Sequence, residues 1–571
     1  MNESLPPENQ QSQGGLSSWV FALGLSMLAS LAVLLPFFWL GSASGHDFQF
    51  HVASWLDVAY QWKQGIVYPR WTAWTNYGFG EPRYIFYPPL SWMLGAALSL
   101  LLPIAWVPGA FIFLTQTFAG MSSFFLLRRL TTTRAAYLGA AFYAANPYAL
   151  ILSYVRSDFA EQLACAIFPL LLLAALRLAG LLDREQPRLS AITLFAIPFA
   201  AVWLCNAPAG VIGSYSMTLL FAWAAVTQRS WRIATSAAGG LALGLGLTGF
   251  YILPAAYEQR WVNIGQALAS GLLPSQNFLF TRTDDPEHTW FNWMFSLCAT
   301  GLILIAALTA LISRRFAKIT VGSRAPDSAW GALLVLGVAA TLMMLGITTP
   351  LWDLLPKLRF VQFPWRWMSL LALVCCCFLA AAIERRRGWL WFVLVALLSV
   401  PLGVFLTQNT WWDADEMATQ QAAMTSGTGY EGVDEYDPFD DDHLDLPKRA
   451  PLASILPADP EDAAAKPPNA KIQIDKWQAD SKTILVESPA PARVALRLLN
   501  YPAWKVEVNG RRIIPEKPDG MDQMLVPVAA GKSEILVRFV RTSDRSAGIA
   551  LSIFSLLLGI GLLGSRKQLK S

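Results

Sequence analysis

His46, Asp47 and His51 stand within six positions of one another in Gly45-His46-Asp47-Phe48-Gln49-Phe50-His51, directly after the first long apolar stretch of the chain. A carboxylate between two imidazoles can take a proton from an attacking hydroxyl or hold a divalent cation. Tyr68-Pro69-Arg70-Trp71 and Asn76-Tyr77-Gly78-Phe79-Gly80 follow in the same segment, adding a guanidinium, aromatic rings and glycines at a density that a plain connecting loop does not need. Trp71, Trp74, Tyr77 and Tyr84 would equally serve as an interfacial aromatic belt, with Asp47 a solvated cap.

Arg156-Ser157-Asp158-Phe159-Ala160-Glu161 forms a second group. Its i, i+3 carboxylates share a helical face and can hold a cation together, while the same spacing is a capping box for a helix start. A third group, Arg359-Phe360-Val361-Gln362-Phe363-Pro364-Trp365-Arg366-Trp367, offers two guanidiniums for bidentate contact with a phosphate. Snorkelling of those arginines to lipid headgroups is the plain alternative. Cys205-Asn206-Ala207-Pro208 and Tyr251-Ile252-Leu253-Pro254 with Glu258 fall at the same level and can line a shared cavity.

The elements that must position these residues are set by composition. The 571 residues are 54% hydrophobic and 14% charged, with a mean hydropathy of +0.41, whereas soluble proteins carry about 25% charge. A net charge of +4, without basic blocks interleaved with aromatics in the water-facing segments, excludes a nucleic-acid partner. Cys165, Cys205, Cys298, Cys375, Cys376 and Cys377 all lie in or beside apolar runs and predict no disulfide framework.

The first apolar run, Trp19 to Leu40, lacks a basic stretch before it and predicts a retained span, with 1–18 a disordered cytoplasmic tail. Further runs at about 135–152, 162–181, 190–206, 208–227, 232–253, 291–312, 330–349, 366–383, 389–406 and 546–564 each approach the ~20 residues of a crossing helix. Two more lie within 89–127, separated by Pro103 and Pro108, and the total is 12 or 13. Placing Arg128, Arg129 and Arg134 inside requires an odd number of crossings in 89–127, so either one run is re-entrant or interfacial or this basic cluster breaks the positive-inside rule; 13 is the expected total.

Arg184/Arg188, Arg229/Arg232, Arg314/Arg315/Lys318/Arg324, Arg385/Arg386/Arg387 and Arg566/Lys567/Lys570 would then face the cytoplasm. Loops 41–88, 153–161, 255–290, 350–365 and 407–545 would lie outside. Segment 407–469 carries 11 acidic residues and no Lys or Arg between Thr407 and Pro447, which predicts a mobile linker or lid. Alternating stretches at Lys471–Ile474, Thr483–Glu487, Val494–Leu499, Lys505–Val508, Met524–Val528 and Glu534–Val540, with an Asn509-Gly510 turn, predict a small β-sandwich over 470–545. The expected fold class is thus a mainly α, polytopic membrane protein with an extracytoplasmic all-β domain before its last helix. Its parts are the tail 1–18, a transmembrane module 19–406 with first outer loop 41–88, the linker 407–469, the β-domain 470–545, and the last helix with a basic cytoplasmic tail, 546–571.

The string from His46 through Tyr87-Pro88-Pro89-Leu90-Ser91, the Ser157–Glu161 helix start, Thr248–Glu258, Gln362-Phe363-Pro364-Trp365-Arg366 and Tyr501-Pro502-Ala503-Trp504 resemble the bacterial membrane proteins labelled 6-pyruvoyl-tetrahydropterin synthase-related. The soluble synthase holds zinc with clustered histidines. The four here, His46, His51, His288 and His443, are scattered, so no pterin site is expected. In topology and in the acid of its first outer loop the family resembles the GT-C superfamily of polyprenyl-phosphate-dependent glycosyltransferases.

That resemblance implies a multi-pass protein of the bacterial inner membrane with both termini cytoplasmic. It would transfer a sugar, with inversion, from a polyprenyl-phosphate donor to an extracytoplasmic glycan, lipid or protein, within membrane lipid. Asp47 would be the base, tuned by His46 and His51. Asp47, Asp158 and Glu161 would hold a divalent metal, Mg or Mn. Arg366, Arg359, Arg70, Trp71 and Tyr77 would bind the lipid-linked donor. A transporter or flippase of lipid-linked sugars would carry ionisable residues at mid-membrane and repeated halves. A non-catalytic envelope scaffold would depend on the 471–540 strands and tolerate loss of Asp47 and Glu161.

Overall fold

The computed structural model describes residues 13–182, 189–317, 327–383, 389–413, 415–439, 442–459, 466–517 and 522–565. The tail before residue 13 lies outside these, as do Arg184, Arg188, Lys318, Arg324, Arg385 to Arg387, Arg566, Lys567 and Lys570.

Charge-free apolar runs in lipid must pair their own backbone groups, so they coil. Among the described residues, seven helices are long and apolar enough to cross a membrane: Ile104–Leu130, Thr133–Val155, Phe159–Leu178, Ala207–Thr227, Pro286–Arg314, Pro364–Ile383 and Ser543–Gly564. Two bent pairs pass the same test, Trp231–Leu247 with Gly249–Trp261 at 76° and Ala329–Met343 with Gly346–Leu354 at 91°. Four shorter apolar helices, Ser17–Val33, Pro89–Leu101, Ser190–Cys205 and Phe392–Gln408, bring the apolar segments to thirteen. In the ambiguous 89–127 stretch, the 13-residue helix Pro89–Leu101 is only about 20 Å long, short of the ~30 Å hydrocarbon core. Ile104–Leu130, at 27 residues, is long enough.

Close helix packing relies on small residues. A Cβ at Gly548 would fall 2.5 Å from the Gly249 carbonyl oxygen, so the Ser543–Gly564 helix meets Gly249–Glu258 backbone to backbone. One turn away, Arg545 donates from Nε and Nη2 to the two Glu258 oxygens, each at 2.7 Å. Tyr501 Oη donates to Glu258 Oε2 at 2.7 Å, so the β-domain joins the same buried knot.

The β-domain contains β1 (Ala453–Leu456), β2 (Lys471–Trp477), β3 (Ser481–Ser488), β4 (Ala492–Leu499), β5 (Trp504–Val508), β6 (Arg511–Ile513), β7 (Gln523–Val528) and β8 (Gly531–Phe539). Two antiparallel sheets are ordered β1-β4-β7 and β2-β3-β8-β5-β6; in the second, β8 pairs with β3 and β5 through Ile484↔Ile535 and Val506↔Val537. Asn509 and Gly510 both take positive φ, 49° and 77°, the demand of a two-residue hairpin. β1 and β6 were not expected, and β1 falls inside the segment read as a linker.

That segment is not a bare connector. It contains the helix Glu416–Thr425, and Tyr430 bridges Thr75 while its Oη donates to the Ala53 carbonyl at 3.2 Å. Buried aromatics set at irregular intervals, Tyr430 and Tyr436, anchor it despite its charge. The β-domain shares its core with segment 41–88: Trp71, Phe79, Ile85 and Phe86 pack with Ile484, Val506 and Val537.

Candidate active site

Residues 45–47 run against the chain at 154–158. Gly45 N–H donates to Ser157 Oγ at 3.2 Å and Asp47 N–H to the Arg156 carbonyl at 2.9 Å. A Cβ on Gly45 would lie 2.6 Å from the Tyr154 carbonyl oxygen, so only glycine permits this approach. Ser157 takes φ 50°, an uncommon turn for a residue with a side chain, and delivers Asp158 to the start of the Phe159–Leu178 helix. There Asp158 Oδ1 accepts from Glu161 N–H at 2.9 Å, the cap anticipated from the spacing.

The cap also anchors a charge network. Asp47 is paired with Arg156 Nη2, and Arg156 Nη2 lies 3.7 Å from Asp158 Oδ2. Arg366 Nη2 donates to Asp158 Oδ2 at 3.4 Å. Its Nε stands 3.1 Å from Glu161 Oε2, close enough to pair but outside hydrogen-bonding geometry. Tyr148 Oη donates to Glu161 Oε1, and His51 Nε2 is 3.7 Å from Asp158 Oδ1. Burial alone would push the Asp158 carboxyl up, but His51, Arg366 and Arg156 together hold it below the usual carboxylate range.

A cavity of about 440 Å³ opens against this network. Asp47, His46, Asp158 and Arg366 line it, as do Asn206, Tyr251 and Lys357, with Val433, Glu435 and Tyr436 from the acidic segment. Asp158 and Arg366 are nearly enclosed, whereas the Asp47 side chain is 33% exposed. His46 opens onto the cavity but is ringed by protein and stands against Phe291 and Trp411 at 4.5 and 5.1 Å. That burial, then Arg156, pull its imidazole down to about 4, so it is a neutral base at ordinary pH.

The expected residues divide accordingly. Asp47, His46, His51, Asp158, Glu161 and Arg366 come together. Arg359 does not: its side chain is 52% exposed and pairs with Asp353 at 3.6 Å. Lys357, two positions earlier, faces the cavity instead, with neutral partners in the Gln259 amide oxygen at 3.1 Å and the Phe360 ring at 4.9 Å. Arg70 and Trp71 line a different cavity, and Trp71 is buried beside Tyr501 and Trp504. Tyr77 packs under the acidic segment, its Oη donating to Glu431 Oε2 at 3.4 Å.

The Asp47, Asp158 and Glu161 trio does not fit the expected metal centre, because guanidiniums and the Tyr148 hydroxyl already hold the carboxylates that would ligate the ion. Among the described residues, Asp434, Asp437 and His443 do have potential ligand atoms within 4.8 Å of one another. There, His443 Nδ1 and Asp437 Oδ2 already form a 2.7 Å hydrogen bond.

Arg156, Lys357 and Glu435 were not among the expected site residues. Arg156 stands in the quoted helix-start motif, but its pairing with Asp47 is a contact between loops. Glu435 sits in an acidic run whose composition suggests solvent, yet burial lifts its carboxyl to about 7.

The chain belongs to the membrane-protein family described as 6-pyruvoyl-tetrahydropterin synthase related domain, whose model matches residues 84–412. No curated protein matches it by sequence. Among solved structures it is similar to the oligosaccharyltransferase of Archaeoglobus fulgidus in its apo form, at 15% identity and TM-score 0.41, over 72% of this chain and 57% of that one. It is also similar to AglB of that organism in complex with an inhibitory peptide and a dolichol-phosphate, at 15% identity and TM-score 0.39, over 68% and 55%. A third is ArnT from Cupriavidus metallidurans bound to undecaprenyl phosphate, at 13% identity and TM-score 0.31, over 64% and 78%. The chain spans little more than half the length of the archaeal enzymes.

Proposed function

We propose that this protein transfers a sugar from a polyprenyl-phosphate donor to an acceptor hydroxyl on the extracytoplasmic side of a bacterial inner membrane, with inversion. The observation that carries this reading is the partly open carboxylate of Asp47 in a cavity that also presents Lys357, a cation held by the Gln259 amide oxygen and the Phe360 ring. The acceptor oxygen attacks the anomeric carbon as the bond from that carbon to the phosphate oxygen breaks. The acceptor proton passes to Asp47, and the departing phosphate keeps the bonding pair. Lys357, with Arg366 deeper in the wall, meets the charge that develops on that phosphate. Arg156 orients Asp47, and neutral His46 beside it is free to accept a hydrogen bond from the acceptor.

Mass spectrometry of polyprenyl-phosphate sugars and surface glycans tests this in cells carrying the wild-type chain, Asp47→Asn, or none. Donor should accumulate equally in the last two. A donor pool unchanged by loss of the protein would instead indicate a scaffold.

A further inference from the structure

We infer that a second cavity, between the β-domain and the last membrane helix, binds the headgroup of an anionic phospholipid. The cavity, about 600 Å³, is separate from the one that holds Asp47. At its polar end stand Arg70, Arg541 and Arg545, with Asp480 the one carboxylate in the lining. Farther in, Phe250, Ile549 and Ile553 make the wall apolar.

The three arginines are not equivalent. Arg545 is held by both Glu258 oxygens, so its charge is already met. Arg70 stacks on the Tyr68 ring, Cζ to centroid 4.2 Å, and its Nη1 is buried without a hydrogen-bond partner. Tyr68 Oη, lining the same cavity, is likewise buried and unpartnered. Burial, with Arg545 and Arg541 nearby, lowers the Arg70 guanidinium from its ordinary value, the condition a bound anion would relieve. Two orphaned donors beside surplus positive charge suit a phosphate, which offers several acceptor oxygens.

The apolar end identifies the source of that phosphate. Ile549 and Ile553 are four residues apart on one face of the Ser543–Gly564 helix, and the eight residues from Arg545 to Ile553 span about 12 Å. A molecule that fills the cavity therefore has a charged end at the level where the helix leaves the bilayer and an acyl chain running down it. Free phosphate has the same charged end and no chain.

Native mass spectrometry of the full-length chain, stripped of lipid in detergent, tests the site with dioleoylphosphatidylglycerol, dioleoylphosphatidylcholine or inorganic phosphate. One phosphatidylglycerol should be retained per chain, and Arg70→Gln and Arg541→Gln should each weaken retention on the order of tenfold, the loss of one charge-assisted contact. Arg541 is exposed, so its variant keeps the test valid if Arg70→Gln misfolds. Equal retention of phosphatidylcholine would overturn the inference, as would displacement of the lipid by millimolar phosphate or undiminished retention by Arg541→Gln. Asp47→Asn should retain the lipid fully; its loss there would mean the lipid occupies the other cavity.

Discussion

Glu258 and Arg545 face each other through two 2.7 Å hydrogen bonds, joining the bent helix before residue 260 to the first turn of the last helix. Both are buried. Removing one partner leaves the other charge desolvated and unpaired, a cost of about 3–5 kcal/mol. Glu258→Ala should lower the melting temperature of the detergent-solubilised protein markedly. The double variant Glu258→Leu/Arg545→Met should recover much of it, since an apolar pair of similar volume carries no such cost. A double variant no better than the single would refute this account of the pair.

Lys357 and Arg359 separate two accounts of phosphate binding. Lys357→Ala should raise the donor concentration needed for half-maximal transfer by about tenfold, as expected for one charge-assisted contact. Arg359→Ala, outside the cavity and paired with Asp353, should leave it unchanged. Vesicle-reconstituted protein assayed against a titrated polyprenyl-phosphate sugar distinguishes them; equal effects would remove Lys357 from the site.

Gly45 sets the spacing between Asp47 and Arg156. In Gly45→Ala the new methyl would meet the Tyr154 carbonyl, and the strands of chain must part. Shifts near 1 Å at reacting groups cost up to about 100-fold in rate. The turnover number should fall by at least tenfold, while the donor concentration for half-saturation moves little. A variant with wild-type turnover would show that this clamp does not position the carboxylate.

Lys482 provides a pH signature of the β-domain. Its ammonium is enclosed, donating to the carbonyls of Gln478 and Ala479 at 2.9 and 3.1 Å beneath the Trp504 ring. Burial pulls it down from 10.5 to about 7. Between those values the unfolded chain binds the extra proton and the folded one does not, so stability rises with pH from about 7 to 10.5 and is lowest below 7. Melting temperatures measured across that window should climb in the wild type and lose this component in Lys482→Met. Parallel curves would show that Lys482 does not contribute.

Local pattern accounts for what could be read from the chain. Asn509-Gly510 between alternating stretches marks a hairpin because both positions need positive φ, and Asp158-x-x-Glu161 marks a helix start because its spacing suits a cap. β1 escaped notice because its four residues are all half-buried and show no alternation. The counter-ion of Asp158 could not be read locally: Arg366 lies 208 positions away, and only tertiary packing brings the two together. Tyr436 and Glu435 were hidden by their own neighbourhood, an acidic run that folds because Val433 N–H reaches Glu81 and Asn76 reaches Asp437.

The distance in sequence between Asp158 and Arg366 also sets an order of events during synthesis. The ribosome makes Asp158 and Glu161 long before it makes the guanidinium that will share their charge. Until then, the Phe159–Leu178 segment enters the bilayer with two carboxyl groups that depend on His51, Tyr148, Arg156, water or a proton for company. The bundle can close around that end only after residue 366 has emerged, and any nascent chain stalled earlier would expose it to quality-control proteases.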